Sequence, residues 1–320
     1  MHFTTSLVAQ LETAANADVK AVLQGRSGPP PAGEVATLAD LVLNGTPTIA
    51  ANWQSILAPQ HSVTFHAVFC HGSPYVDFTH GGASRACELA DLLLVMDYFD
   101  STGSTRQAAL VQAKLVLGGQ IAISGPGPTT QLVLYQNWPS FTFQSAAYSQ
   151  HSRNFWTALS AAADAGRYGG IDLTLQAEEW RQIDPSTQPP FVSAHGVELG
   201  AFLARLADGQ SGVGAPATHV VGKPAQTLDD WSFTVAELLD VTGQLTHRAL
   251  TRAGGPGAIR GRSHSIRMAG QPKQPPVTNS TSRIAFSKSA SSGPPDDFGG
   301  AERPWSSGIS YIHCIIERRL

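Results

Sequence analysis

Four residues in the stretch CELADLLLVMDYFDSTGSTRQAALVQAKLV, residues 87–116, are of types that handle metal ions and phosphate: Glu88, Asp91, Gln112 and Lys114. Asp91 offers the hard anionic oxygen that Mg²⁺ or Mn²⁺ takes, and Glu88, three residues upstream, offers a second carboxylate. The Gln112 amide oxygen, with the Ala113 carbonyl, adds neutral oxygen ligands. Lys114 carries an ammonium able to orient or deprotonate a water and to offset charge on a phosphate in transfer. Burying any of these charges without a partner costs several kcal/mol, on the order of a whole domain's stability. The groups therefore either sit at a wet rim or face one another over something.

Their placement follows from the surrounding pattern. "DLLLVMDYF" and "AALVQAKLV" are apolar runs of strand length, joined by the polar return "STGSTRQ", which sets them side by side and antiparallel. Side chains alternate along a strand, so Gln112 and Lys114 point one way and Ala113 the other, with Asp91 at the mouth of the first run. The competing explanation is an ordinary cross-strand Asp91–Lys114 pair at a sheet edge, which contributes only about 0.2–1 kcal/mol.

Before this hairpin, residues 4–24 and 34–44 have helical spacing of apolar positions, split by the breaker "GRSGPPPAGE". "TPTIAANWQSILAP" reads as a third helix stopped by Pro59. "SVTFHAVFC" and "PYVDFT" are β-branched and aromatic, and Gly81-Gly82 makes a turn. After the hairpin come a Gly/Pro loop, a helical "TTQLVLYQNW" and a short strand "SFTF". Residues 151–250 read as mainly helical, through "RNFWTALSAAADAG", "GVELGAFLARLADG" and "WSFTVAELLDVTGQLT", the last with Asp229 or Asp230 as its N-cap. Residues 251–308 are rich in Gly, Pro, Ser and Arg and too poor in large apolar residues to offset their ordering entropy. Residues 309–320, with "ISYIHCIIE", return to a strand pattern.

An acid opening one strand, a loop, and an acid or Gln, any residue and Lys on the next resembles the PD-(D/E)XK nuclease superfamily, and "QAK" looks like the Gln variant of Mrr-type restriction enzymes. The resemblance covers roughly residues 45–145 and departs at two points: no Pro precedes Asp91, and Gln112 is neutral where most members have a carboxylate. It implies a mixed-sheet restriction-endonuclease-like α/β core of order αβββαβ within a domain spanning residues 1–150. It implies Asp91 and Gln112 as metal ligands, Lys114 as the catalytic lysine, and Glu88 as an additional ligand. Glu12 is a candidate for the helix-borne acid that some members have. The implied function is Mg²⁺-dependent (or Mn²⁺-dependent) cleavage of DNA in bacterial restriction or defence; a catalytically inactive scaffold that binds nucleic acid or protein is the alternative. A partner subunit and a homodimer both stay open.

Other residues compete. His66, Cys70, His71, His80 and Cys87 are all zinc-ligand types, but their spacings match no regular finger or ribbon. Trp138 and Phe141 are of types that stack on bases, although aromatics beside short strands more often fill a core. No Gly-x-Ser-x-Gly elbow or phosphate-binding loop occurs. The net charge of −3 excludes general electrostatic attraction to nucleic acid. Locally, however, no acid lies between Asp240 and Asp296, while Arg260, Arg262, Lys273 and others do, giving a segment able to track a DNA backbone. The 3 cysteines form no CxxC pair, which fits a reducing compartment, and no long apolar run marks a membrane span, so the cytoplasm is expected.

Overall fold

The computed structural model describes residues 1–25, 33–70, 74–121, 123–158, 162–174, 177–187, 189–220, 227–251, 264–269 and 308–319, with backbone alone for 245–251 and 264–269. Its α-helices are α1 (Thr5–Gln24), α2 (Glu34–Asp40), α3 (Thr46–Leu57), α4 (Pro126–Asn137), α5 (Phe155–Ala158), α6 (Leu199–Ala207) and α7 (Asp230–Thr251). The first strands are β1 (His61–Phe69), β2 (Tyr75–His80), β3 (Ala83–Glu88), β4 (Leu92–Asp100), β5 (Gly103–Leu115), β6 (Gln120–Ile121) and β7 (Phe141–Phe143). The remaining strands are β8 (Gly166–Asp172), β9 (Glu179–Ile183), β10 (Phe191–Val192), β11 (Val197–Glu198), β12 (Ala215–Ala217), β13 (His264–Ala269) and β14 (Ser310–Arg318). The fold is mixed α/β.

A nine-stranded sheet runs β11-β9-β8-β5-β4-β14-β1-β13, with β12 also paired to β5. β4 and β5 form the antiparallel hairpin read from the sequence, in register Leu92↔Val111 through Asp100↔Gly103. β5 and β8 are parallel, as are β14 and β4, whereas β1 is antiparallel to β14. β4 is thus buried on both faces, which explains its near-continuous apolar run. Leu92, Leu94 and Met96 enter a core under α1, α3 and α6; Leu93 and Val95 enter a second core with Tyr135 and Trp231.

Local chemistry sets the helices. α1 buries Val8, Leu11, Ala15, Val19 and Leu23 at helical spacing, and the Thr4 hydroxyl caps it by accepting the Leu7 N–H at 3.3 Å. Where α1 crosses α6, a Cβ at Gly200 would lie 2.3 Å from the Asn16 backbone nitrogen, so only glycine permits the approach. α7 is capped by Asp229, which accepts the Ser232 N–H at 2.8 Å, leaving Asp230 for other work.

Three expectations change. Residues 151–250 were expected to be mainly helical, yet they supply β8, β9, β10, β11 and β12. The reason is visible in "GRYGGID": a Cβ at Gly166 would sit 2.2 Å from Tyr135 Cδ1 and one at Gly169 2.6 Å from Trp180 Nε1, so glycines that look like breakers are what let β8 pass this close to those rings. Because β8 and β9 extend the sheet beyond β5, no boundary divides the sheet at residue 150. The expected αβββαβ order does not describe one sheet either. "PYVDF" (β2) pairs with both β3 and "SFTF" (β7) in a separate three-stranded sheet, because the Gly81-Gly82 turn folds β3 back onto β2. The neighbours of the β4–β5 hairpin are instead β8 and the C-terminal β14, which lies at the centre of the sheet. Of residues 251–308, only Thr251, the β13 backbone and the residue before Ile309 are described, so the basic mobile segment expected there lies outside the described residues. No described helix is long and apolar enough to cross a membrane.

Candidate functional site

The site is assembled at the end of the sheet where β4 begins and β5 ends. Glu88 ends β3, the short bend that leads from it to β4 carries Asp91, and backbone bonds fix it. Leu89 N–H donates to Pro74 O at 2.8 Å, Tyr135 Oη donates to Leu89 O at 2.9 Å, and Asp91 N–H donates to Val111 O at 3.0 Å. The last of these extends the hairpin by one rung and brings the Asp91 side chain over β5. There its Oδ2 accepts the Ala113 N–H at 2.8 Å and a short hydrogen bond from Gln112 Nε2. Gln112 is fully buried, directly across from Tyr168 on β8. Its Oε1 is buried with no hydrogen-bond partner among the described residues. A buried acceptor left unsatisfied costs about 1–3 kcal/mol, so this oxygen is the chemically unfinished point of the site.

Lys114 lies one pleat further along the same face. Its Nζ is 3.7 Å from Glu34 Oε1, the two side chains being 17% and 37% exposed. The charges here act on one another. Burial pushes the Asp91 carboxyl up, the nearby Lys114 ammonium pulls it down, Glu88 and Glu34 push it up again, and the Ala113 N–H lowers it, leaving it at about 7. Asp91 and Gln112 thus meet directly, while Lys114 and Glu88 reach Asp91 through their fields.

One acid differs from expectation. Glu12 accepts from Arg205 Nε at 2.7 Å and ties α1 to α6, so it is committed elsewhere. The acid that a helix brings next to Lys114 is Glu34, in the first turn of α2. The sequence signal was available: an acid following "GPPPAG" and opening the apolar run "VATLADLVL" stands where helices begin.

Two oxygen donors of this corner, on Asp91 and Gln112, are of types that a divalent cation takes. Among the described residues no three His, Cys, Asp or Glu side chains gather closely enough to hold an ion by themselves. An ion here would rest on the Asp91 carboxylate and the unpartnered Gln112 amide oxygen. Mg²⁺ accepts such a set, since it commonly binds through one or two carboxylates and keeps several waters.

The rival clusters resolve differently. Cys87 is buried in β3 with its thiol pushed up to about 12, by burial first and then by Glu88, and His71 lies outside the described residues. Trp138 and Phe141 are 1% and 2% exposed and belong to the core.

Two further polar groups were not singled out from sequence. Asp97 on β4 holds Arg106 through two bonds of 2.6 Å and His313 of β14 through one of 2.7 Å. Ser149 Oγ lies 2.8 Å from His151 Nδ1, whose Nε2 is 3.5 Å from Asp230, a Ser-His-Asp order. Ser149's own N–H, however, is donated to Glu237 at 2.7 Å and so is not left to hold an oxyanion; the trio anchors its loop to α7.

Comparison of the chain with family models, with curated proteins and with solved structures finds no match, so the site's own geometry has to carry any functional conclusion.

Proposed function

We propose that this chain is a Mg²⁺-dependent nuclease hydrolysing phosphodiester bonds in DNA, with a restriction-endonuclease-like core and Asp91, Gln112 and Lys114 as its working groups. The observation that carries the reading is the buried, unpartnered Gln112 Oε1 beside the Asp91 carboxylate, with the Lys114 ammonium near enough to pull that carboxyl down. Support also comes from the sheet around the pair, in which β8, β5 and β4 are neighbours and α4 lies in the connection from β5 to β8, together with β6, β7 and α5.

A divalent ion held by Asp91 and Gln112 would supply Lewis-acid polarisation of a phosphoryl oxygen. The chain's own groups do the rest. Asp91 is oriented by the Ala113 N–H, and the Gln112 amide would turn its oxygen toward the ion in place of its present bond to Asp91. Lys114, carried on a strand with Glu34 3.7 Å from its ammonium, donates a hydrogen bond to a non-bridging phosphate oxygen or to the attacking water as negative charge grows. Glu88 and Glu34 keep the site's net charge negative until a cation enters. Restriction or defence in a bacterium is the setting implied by the motif's resemblance.

One observation favours a second reading, a non-catalytic scaffold: Gln112 Nε2 already donates to Asp91, closing the pair without an ion. Incubation with supercoiled plasmid separates the two. The nuclease nicks or linearises it with Mg²⁺ or Mn²⁺ and leaves it intact in EDTA. The scaffold leaves it intact in both while retarding it on a gel.

A further inference from the structure

Leu117 is 73% exposed, on the turn that follows β5 three residues beyond Lys114. Scattered exposed leucines are ordinary on protein surfaces, so exposure alone means little. Two features set this one apart. The first is rigidity. Gly118 and Gly119 have φ of +60° and +77°, which gives a tight two-residue turn. Leu117 N–H donates to Gln120 O at 2.8 Å and Gln120 N–H returns to Leu117 O at 3.2 Å. Val116 N–H is tied to Ile171 O at 2.8 Å, and Gly119 O accepts the Ser193 N–H at 2.9 Å. Below the tip, Val116 and Ile121 are buried. The leucine is therefore presented on a pinned support that loses little conformational freedom when it engages something.

The second feature is position. Val35, 43% exposed, is the neighbour in sequence of Glu34, the partner of Lys114. Each member of the Lys114–Glu34 pair thus has an exposed large apolar residue close to it in the chain. At about 3.3 Å per residue the Leu117 tip lies up to about 10 Å from Lys114, which is about three base-pair steps along a duplex.

We propose that Leu117 is a wedge that enters the base stack of the DNA bound at the Asp91–Lys114 site; the proposal rests on the nuclease reading above. Apolar side chains such as leucine insert between base steps, partly unstack them and kink the duplex. One side chain on a two-glycine tip suits that task. It is poorly suited to a protein partner, because stable protein interfaces cover about 800 Å² on each side. Unstacking beside the scissile phosphate would bring the backbone of a stiff duplex down onto Lys114, a service that single-stranded DNA does not need.

The test uses the full chain, wild type and with Leu117→Ala or Leu117→Met. Substrates are a duplex containing 2-aminopurine and the matching single strand, with Mg²⁺ for cleavage and Ca²⁺ for binding. Leu117→Ala is expected to cut duplex at least about tenfold more slowly, equivalent to about 1.4 kcal/mol, while cutting the single strand within about twofold of wild type. Leu117→Met, which keeps an apolar wedge, restores duplex cleavage. Binding of wild type, and not of Leu117→Ala, raises 2-aminopurine fluorescence as the base is unstacked. Equal duplex cleavage by wild type and Leu117→Ala, equal losses on both substrates, or a wild-type dimer that Leu117→Ala converts to monomer would each overturn the wedge. If the wild-type chain binds but cuts nothing, it is the nuclease reading that fails, and the fluorescence change alone decides the wedge.

Discussion

Lys114→Ala is expected to lower Mg²⁺-dependent DNA cleavage by about 10²–10³-fold, the usual loss when one donor aimed at developing charge is removed. The fold should survive. Lys114 is partly exposed and its bond to Glu34 is a loose 3.7 Å, so the pair contributes at most about 1 kcal/mol to stability. Initial rates of plasmid nicking, with thermal unfolding of the same preparations, check both halves. Unchanged cleavage with an unchanged melting temperature would reduce Lys114 to one partner of a surface ion pair.

The second large effect concerns Asp97, far along β4 from the site. Arg106 is 4% exposed and both of its bonds to Asp97 are 2.6 Å, so Asp97→Asn leaves a buried guanidinium without its counter-charge. Breaking one partner of such a pair costs about 3–5 kcal/mol. The pH dependence follows from the same geometry. Burial pushes the Asp97 carboxyl up, but the hydrogen bonds from Arg106 and His313 outweigh it and bring the group from 3.8 down to about 2. A carboxyl depressed on folding adds stability above its unfolded value, and that stability is lost as pH falls from about 4 through about 2. Urea unfolding of the wild type should therefore weaken steeply over that interval, while Asp97→Asn, already weakened, changes less. Parallel pH profiles for the two proteins would contradict the assignment.

What could be read from residue order alone divides along physical lines. The β4–β5 hairpin, and with it the meeting of Asp91 and Gln112, was legible because period-two alternation and one polar return fix register over a short loop. α1 and the Asp229 cap were legible for the same reason: the signal is local. β8 was hidden because its glycines answer to Tyr135 and Trp180, residues that sequence spacing cannot place beside it. The central position of β14 was hidden because a strand from the far C-terminus enters between β1 and β4, a pairing set by long-range burial and by the Asp97–His313 bond. Glu34 opens α2 behind a Pro-rich stretch, and nothing local in the sequence places that helix end beside Lys114 of β5. The separate β3-β2-β7 sheet was missed because consecutive strands were assumed to share one sheet.

The most direct measurement is Mn²⁺ binding to the purified chain, followed by the ion's electron paramagnetic resonance signal, for wild type, Asp91→Ala and Gln112→Leu. The account predicts one site in the wild type, abolished by Asp91→Ala and weakened by Gln112→Leu, each variant keeping its fold. Identical Mn²⁺ uptake by all three proteins, or none by the wild type with or without DNA, would show that an acid and an amide share this corner of the sheet for stability alone.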